Sequence, residues 1–114
     1  MKNPLDPRHQ KRQRLIQEIF EEEFHHQSIS KNAKAIFAQK KTLDEKIASA
    51  ATEFPVEKIN KVDLAILRLA VYELLFEKKE PPKVVVDEAI ELAKEFGGES
   101  SSGFINGALG KLIQ

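Results

Sequence analysis

The chain has 114 residues, with 18 lysines and arginines balanced by 18 aspartates and glutamates, and it lacks cysteine and tryptophan. A chain this short buries only about two-thirds of its unfolded surface, which excludes a large multidomain enzyme; the absence of cysteine excludes disulfides, thiolate metal sites and a thiol nucleophile. With 41% apolar and 32% charged residues it has the composition of a folded domain, and a reducing, cytoplasmic setting is the expectation.

Net neutrality hides an ordered pattern. Residues 1–14 carry Lys2, Arg8, Lys11, Arg12 and Arg14 against Asp6, whereas Glu18 and Glu21 to Glu23 make residues 15–24 acidic. Residues 31–61 hold seven lysines against four acids, and residues 77–99 hold four lysines against seven acids. A partner senses such local fields within about 8–10 Å at physiological salt. No apolar run approaches the roughly 18 residues of a membrane span. Glu18 interrupts any signal-peptide core behind the basic start, so neither membrane nor export is expected.

All five glycines lie beyond position 96, and the prolines stand at 4, 7, 55, 81 and 82, so helices punctuated by proline are predicted. Asp6-Pro7 starts the first, with Asp6 as N-cap, and Leu15, Ile16, Ile19, Phe20 and Phe24 form its stripe to about His25. A short helical segment follows around Ala33, Ile36 and Phe37. Thr42-Leu43-Asp44-Glu45 has the form of a capping box. It would open a helix with core face Leu43, Ile47, Ala50 or Ala51, and Phe54, ended by Pro55. Asn60 caps the central helix, which is apolar on nearly every side from Val62 to Phe76. Pro81-Pro82 breaks the chain. Val85, Ala89, Leu92 and Phe96 keep helical spacing until Gly97-Gly98 stops them. Phe104, Ile105, Ala108, Leu109, Leu112 and Ile113 trace the last helix, against a weaker hairpin signal at Asn106-Gly107. The fold class is all-α, a compact helical bundle of five to six helices.

Catalytic patterns are missing: there is no Gly-rich phosphate loop, no Walker lysine, no nucleophile elbow and no His spacing for zinc. No enzymatic activity, cofactor or metal is expected. His25-His26 point about 100° apart on a helix and read as solvated, and acids such as Asp87-Glu88 and Glu21 to Glu23 read as wet helix faces. The basic start carries more information. Arg8, Arg12, Ile16 and Ile19 fall in one helical sector, flanked by Lys11 and Arg14 on one side and His9 on the other. Cations at a helix N-terminus oppose the macrodipole, so either the acids that follow at Glu18 and Glu21 to Glu23, brought near by another part of the molecule, or the phosphates of a polyanion would compensate them. Arg68 lies inside the apolar helix and calls for an ion pair with a neighbouring acid such as Glu88 or Glu91. Tyr72 and Phe76 read as core aromatics. Phe104, predicted to open the last helix, either fills the core or stacks on a base.

Three segments in order, Val62 to Leu75 (VDLAILRLAVYELL), Val85 to Gly97 (VVDEAIELAKEFG) and Phe104 to Leu109 (FINGAL), resemble the C-terminal half of the NusB family of bacterial transcription antitermination factors. Arg8 to Phe20 resembles the family's basic first helix more loosely, with Lys11 and Gln13 flanking Arg12 where the family has Ala and Glu. The resemblance implies two small sub-bundles within one domain, residues 1–54 and 55–114, and a non-enzymatic adaptor. Family members pair with NusE, a small-subunit ribosomal protein, hold single-stranded boxA RNA, and act on the transcription elongation complex at ribosomal RNA operons. The implied RNA-binding residues are Arg8, His9, Lys11, Arg12, Ser101 and Phe104. Asp63, at the predicted exposed start of the central helix, is the implied partner-binding residue.

Two departures stand out. The family is usually longer, the missing stretch falling between about His26 and Thr42, and Gly103 replaces a common Lys or Arg. A second expectation of a different class follows, an interaction adaptor that binds NusE and has lost significant RNA binding. Self-association, a homodimer included, is left open by the sequence. Methyl transfer, found where a similar domain precedes RNA cytosine methyltransferases, is not expected without a Gly-rich cofactor loop.

Overall fold

Asp6 stands at the start of the first helix, as the sequence predicts. Its Oδ1 accepts the Arg8 N–H at 2.8 Å and its carbonyl accepts the Gln10 N–H, opening α1 (Pro7–His25). Hydrogen bonding from the Arg8 N–H holds the Asp6 carboxyl below its usual range. The computed structural model describes residues 6–25, 30–53 and 55–113, with the side chains of 21–25 left aside. The expectations for Phe24, Glu21 to Glu23, the His25-His26 pair and Phe54 therefore lie outside the described residues.

Ser30 caps α2 (Lys31–Ala38) by accepting the Ala33 N–H, and α2 buries Ala33 and Ile36. Next comes α3 (Lys40–Ala50), which buries Leu43, Ile47 and Ala50. The capping box is not used. Gln39 alone separates α2 from α3; it donates to the Ile36 carbonyl while its own carbonyl accepts the Leu43 N–H. The helix is already nucleated upstream, so Thr42 lies inside it and has no orphan donor to satisfy. Nor does Pro55 end α3, which stops at Ala50 with Ala51 as C-cap. A short 3-10 turn at Val56–Lys58 leads to α4 (Lys61–Tyr72), where Asn60 Oδ1 accepts from the Val62 and Asp63 N–H groups as expected.

The predicted central helix does not stay α-helical to Phe76. After Tyr72 it widens into a π-helical turn, Glu73–Glu77, closed by the Lys78 N–H donating to the Glu73 carbonyl five residues back. Lys78 then reverses the chain at φ 55°, the one non-glycine with positive φ among the described residues. Pro82 opens α5 (Pro82–Phe96), and α6 (Ser101–Leu112) starts one turn before Phe104, absorbing Asn106-Gly107 into a helix.

All six helices contribute to one buried cluster. Its centre is α4, on which Leu64 to Val71 are buried without interruption, and which packs against every other helix. Each fully buried Leu, Ile or Val there contributes about 1.5–3 kcal/mol of transfer free energy. Phe76 is exposed, which corrects the expectation of a core aromatic there, whereas Tyr72 is half-buried and packs against the core. The π turn carries Phe76 past the end of the packed α4 stripe, where it stacks on Tyr72 with ring centroids 5.6 Å apart.

Candidate functional site

The first two turns of α1 split their charges between solvent and interior. Arg8, Lys11 and Arg14 are exposed. Arg8 reaches Glu80 at 3.1 Å and Asp6 at 3.4 Å, contacts that raise its pKa with Asp6 the larger influence. His9 and Arg12 are 4% and 7% exposed, and both are paired with acids inside the fold. The Arg12 guanidinium makes a bidentate pair with Glu73 of the π turn, Nε to Oε2 at 2.9 Å and Nη2 to Oε1 at 2.7 Å, and lies 3.9 Å from Glu88. Glu73 is also the main reason its pKa is raised.

His9 bridges two carboxylates of α5: Nδ1 meets Glu88 Oε2 at 2.8 Å and Nε2 meets an oxygen of Glu95. A ring with a carboxylate at each nitrogen satisfies both only as a double donor, the imidazolium. Its pKa is accordingly raised, by Glu88 first and against the opposing effect of burial. Gln13 adds a second contact to Glu95 at 2.7 Å. Of the acids read as a wet face, Asp87 is exposed but Glu88 is buried. The first helix supplies the cations that make that burial tolerable. The sequence offered Glu88 to Arg68 and gave no sign that Glu73, Glu88 and Glu95 pair with the first helix; the one available signal was Glu73 standing in an apolar run.

The other three predicted site residues meet at the far end of α4. An open groove of about 600 Å³ is lined by Asp63, Ser101 and Phe104, together with Glu53, Lys58 and Asn60. Asp63 is 7% exposed rather than at an exposed helix start, and its Oδ1 has no hydrogen-bond partner. Its place at the third position of α4 puts the carboxylate near the positive end of the helix dipole, which offsets part of that cost. Ser101 is buried and its Oγ accepts the Gly98 N–H at 2.9 Å, so the hydroxyl closes the α5–α6 turn. Phe104 is half-buried.

Arg68 is buried and paired as expected, but its bidentate partner is Asp44 of α3, at 2.9 and 3.0 Å. Helix α3 lies along α4 at that level, while Glu88 faces α1. A second cavity, of about 180 Å³, lies where α1, α2, α4 and the π turn meet. Leu15, Ile36 and Leu69 are among its apolar lining residues, and Arg8, Lys11 and Lys79 are among its cations. Among the described residues, no group of three or more His, Cys, Asp or Glu is placed to hold a metal ion, and no helix is long and apolar enough to cross a membrane.

Comparison with known proteins gives this arrangement its context. The transcription antitermination protein NusB of Clostridium botulinum is 52% identical over 80 residues, which are 70% of this chain and 56% of that protein. The protein of the same name from Dehalococcoides mccartyi is 44% identical over 96 residues, 84% of this chain and 67% of that one. The chain thus spans little more than half the length of the C. botulinum relative. A structure of T. maritima NusB superposes with a TM-score of 0.81 at 32% identity, covering 98% of this chain and 92% of the other. The NusB family model matches residues 3–114, nearly the whole sequence, and the chain belongs to the NusB family.

Proposed function

We propose that this protein is a cytoplasmic transcription antitermination factor that binds single-stranded boxA RNA together with NusE, supporting elongation through ribosomal RNA operons. The observation that carries this reading is the groove that gathers Asp63, Ser101 and Phe104 from opposite ends of the C-terminal half, in a chain whose relatives are named for antitermination. Phe104 offers a face for base stacking there, and Asp63 offers a carboxylate to a cationic partner. At the other end of the molecule Arg8, Lys11 and Arg14 are the exposed α1 cations that can meet phosphates, Arg8 by giving up its surface pairs with Asp6 and Glu80, whereas Arg12 and His9 are neutralised inside the fold.

Three phosphate contacts give a slope of log K against log salt of about −2, at roughly −0.7 per single-strand contact. Titrating a boxA oligonucleotide across salt concentrations, with and without NusE, tests this; a flat response sinks the electrostatic mechanism. Asp63→Asn should weaken NusE pairing while keeping the helical circular dichroism spectrum.

The internal neutralisation of Arg12 and His9 favours a second reading, an adaptor that binds NusE with no significant RNA contact. NusE binding without any gain in RNA affinity selects it.

A further inference from the structure

We propose that the cavity between α1, α2, α4 and the π turn is a subsite for one unstacked nucleotide of single-stranded RNA, its base entering the cavity and its phosphate meeting the cations on the rim. This rests on the RNA-binding reading above and gives Tyr72, Asn32 and Lys79 a role in it.

The cavity's size comes first. At about 180 Å³ it falls below the roughly 300–1,000 Å³ of pockets that take drug-sized ligands, so its occupant is one small group. Tyr72 lines it, and stacking on Phe76 at an interplanar angle of 22° holds the Tyr72 ring in place. Aromatic surfaces of this kind take bases with little regard to sequence, because every base has a π face.

Charge comes second. Arg8 and Lys11 from α1 and Lys79 from the link into α5 reach the cavity together although they are far apart in sequence. Among the described residues, no acid lies within ion-pair distance of Lys11 or Lys79. Two of the lining acids are already engaged, Glu73 by Arg12 and Glu80 by Arg8. What is left is a partly apolar space with Lys11 and Lys79 as the uncompensated cations at its edge, and Glu77 and the Asn32 amide to accept from and donate to a polar rim. A nucleotide combines those features: an aromatic plane, a hydrogen-bonding edge and an anion. Lys79 owes its position to the backbone, since it follows the π turn and the left-handed Lys78, two features that recur at functional sites.

The probe is a 12-nucleotide single-stranded RNA carrying boxA, together with a set in which each base in turn is removed to leave an abasic site, titrated by fluorescence anisotropy with NusE present. On the wild-type protein one abasic position should weaken binding about tenfold, the scale of a lost base–aromatic stack. In Asn32→Phe, an exposed α2 position whose ring fills the cavity, that penalty should vanish. Lys79→Ala, also at an exposed position, should shallow the salt slope by about 0.7. Wild-type binding with no sensitive position, or with the same penalty in Asn32→Phe and an unchanged slope in Lys79→Ala, overturns the subsite and leaves the RNA reading intact. Loss of NusE affinity in Asn32→Phe, with RNA affinity unchanged, assigns the cavity to a protein side chain and also overturns it. No RNA binding by the wild type under any condition removes the RNA reading itself.

Discussion

Arg12 precedes Ile16 by four residues, so its Cβ lies on the stripe that Ile16 and Ile19 bury. The stripe was legible in the sequence, and it argued for burial of Arg12 as strongly as the basic neighbourhood argued for exposure. What sequence could not supply was the acid, because Glu73 lies 61 residues away. Arg12→Ala leaves Glu73 buried without a partner and should lower the unfolding free energy by about 3–5 kcal/mol; Arg12→Met with Glu73→Leu should recover most of that in urea titrations. A loss below about 1 kcal/mol for the single variant would show that water reaches the pair. His9 makes a different prediction. Its pKa is raised in the folded state above the ordinary value near 6.5, so the folded protein binds the proton more tightly than the unfolded chain does. Its contribution to stability is complete below about pH 6.5 and is lost as pH rises through the folded value. Thermal melts of the wild type should fall over that interval, and His9→Gln should flatten the fall. An equal slope in the variant would place the titrating group elsewhere.

Helix boundaries were legible wherever a local donor or acceptor decided them. Asp6 and Asn60 each mark a helix start that the structure reproduces, and Pro81-Pro82 breaks the chain ahead of α5. Prediction failed where a neighbouring element supplied the backbone partners. Gln39 carries the ladder from α2 into α3 and makes the Thr42 capping box redundant, and no propensity announces the π turn behind Tyr72. The glycines of the last two helices separate into two kinds at this level. A Cβ at Gly97 would sit 2.6 Å from Ser101 Cβ and 2.7 Å from the Ala93 carbonyl, so Gly97→Ala should destabilise by about 1–3 kcal/mol through displacement of the α5–α6 turn. A Cβ at Gly107 meets nothing within 4 Å inside α6, and Gly107→Ala should stabilise by about 0.5–1 kcal/mol. Chemical denaturation of the two variants side by side checks both signs; a stabilised Gly97→Ala would mean the turn relaxes freely.

For the whole molecule, the all-α bundle and its central helix followed from apolar periodicity, because α4 is apolar on nearly every side and has to be surrounded. The division of charges between surface and interior did not follow, because it depends on which helices touch. Helix α1 packs chiefly on α4, and its ionic contacts run to the π turn and α5. A chain beginning at Ser30 would leave Glu73 and Glu88 without Arg12 and His9 and uncover Leu69 and Tyr72. It should lose the sharp cooperative melt of the full chain, a change visible by calorimetry. Retention of that melt would mean that α2 to α6 fold without α1.

The bridge from His9 to Glu95 spans 86 residues, which gives the protein an order of assembly. The first helix leaves the ribosome with His9 and Arg12 unpaired and waits until Glu95 has been added before its last acid partner exists. At about 5–20 residues per second that interval is roughly 4–17 s. Helix α1 is therefore synthesised well before the acids that hold it, and until Glu73, Glu88 and Glu95 follow a nascent chain carries the charge of Arg12 uncompensated by them.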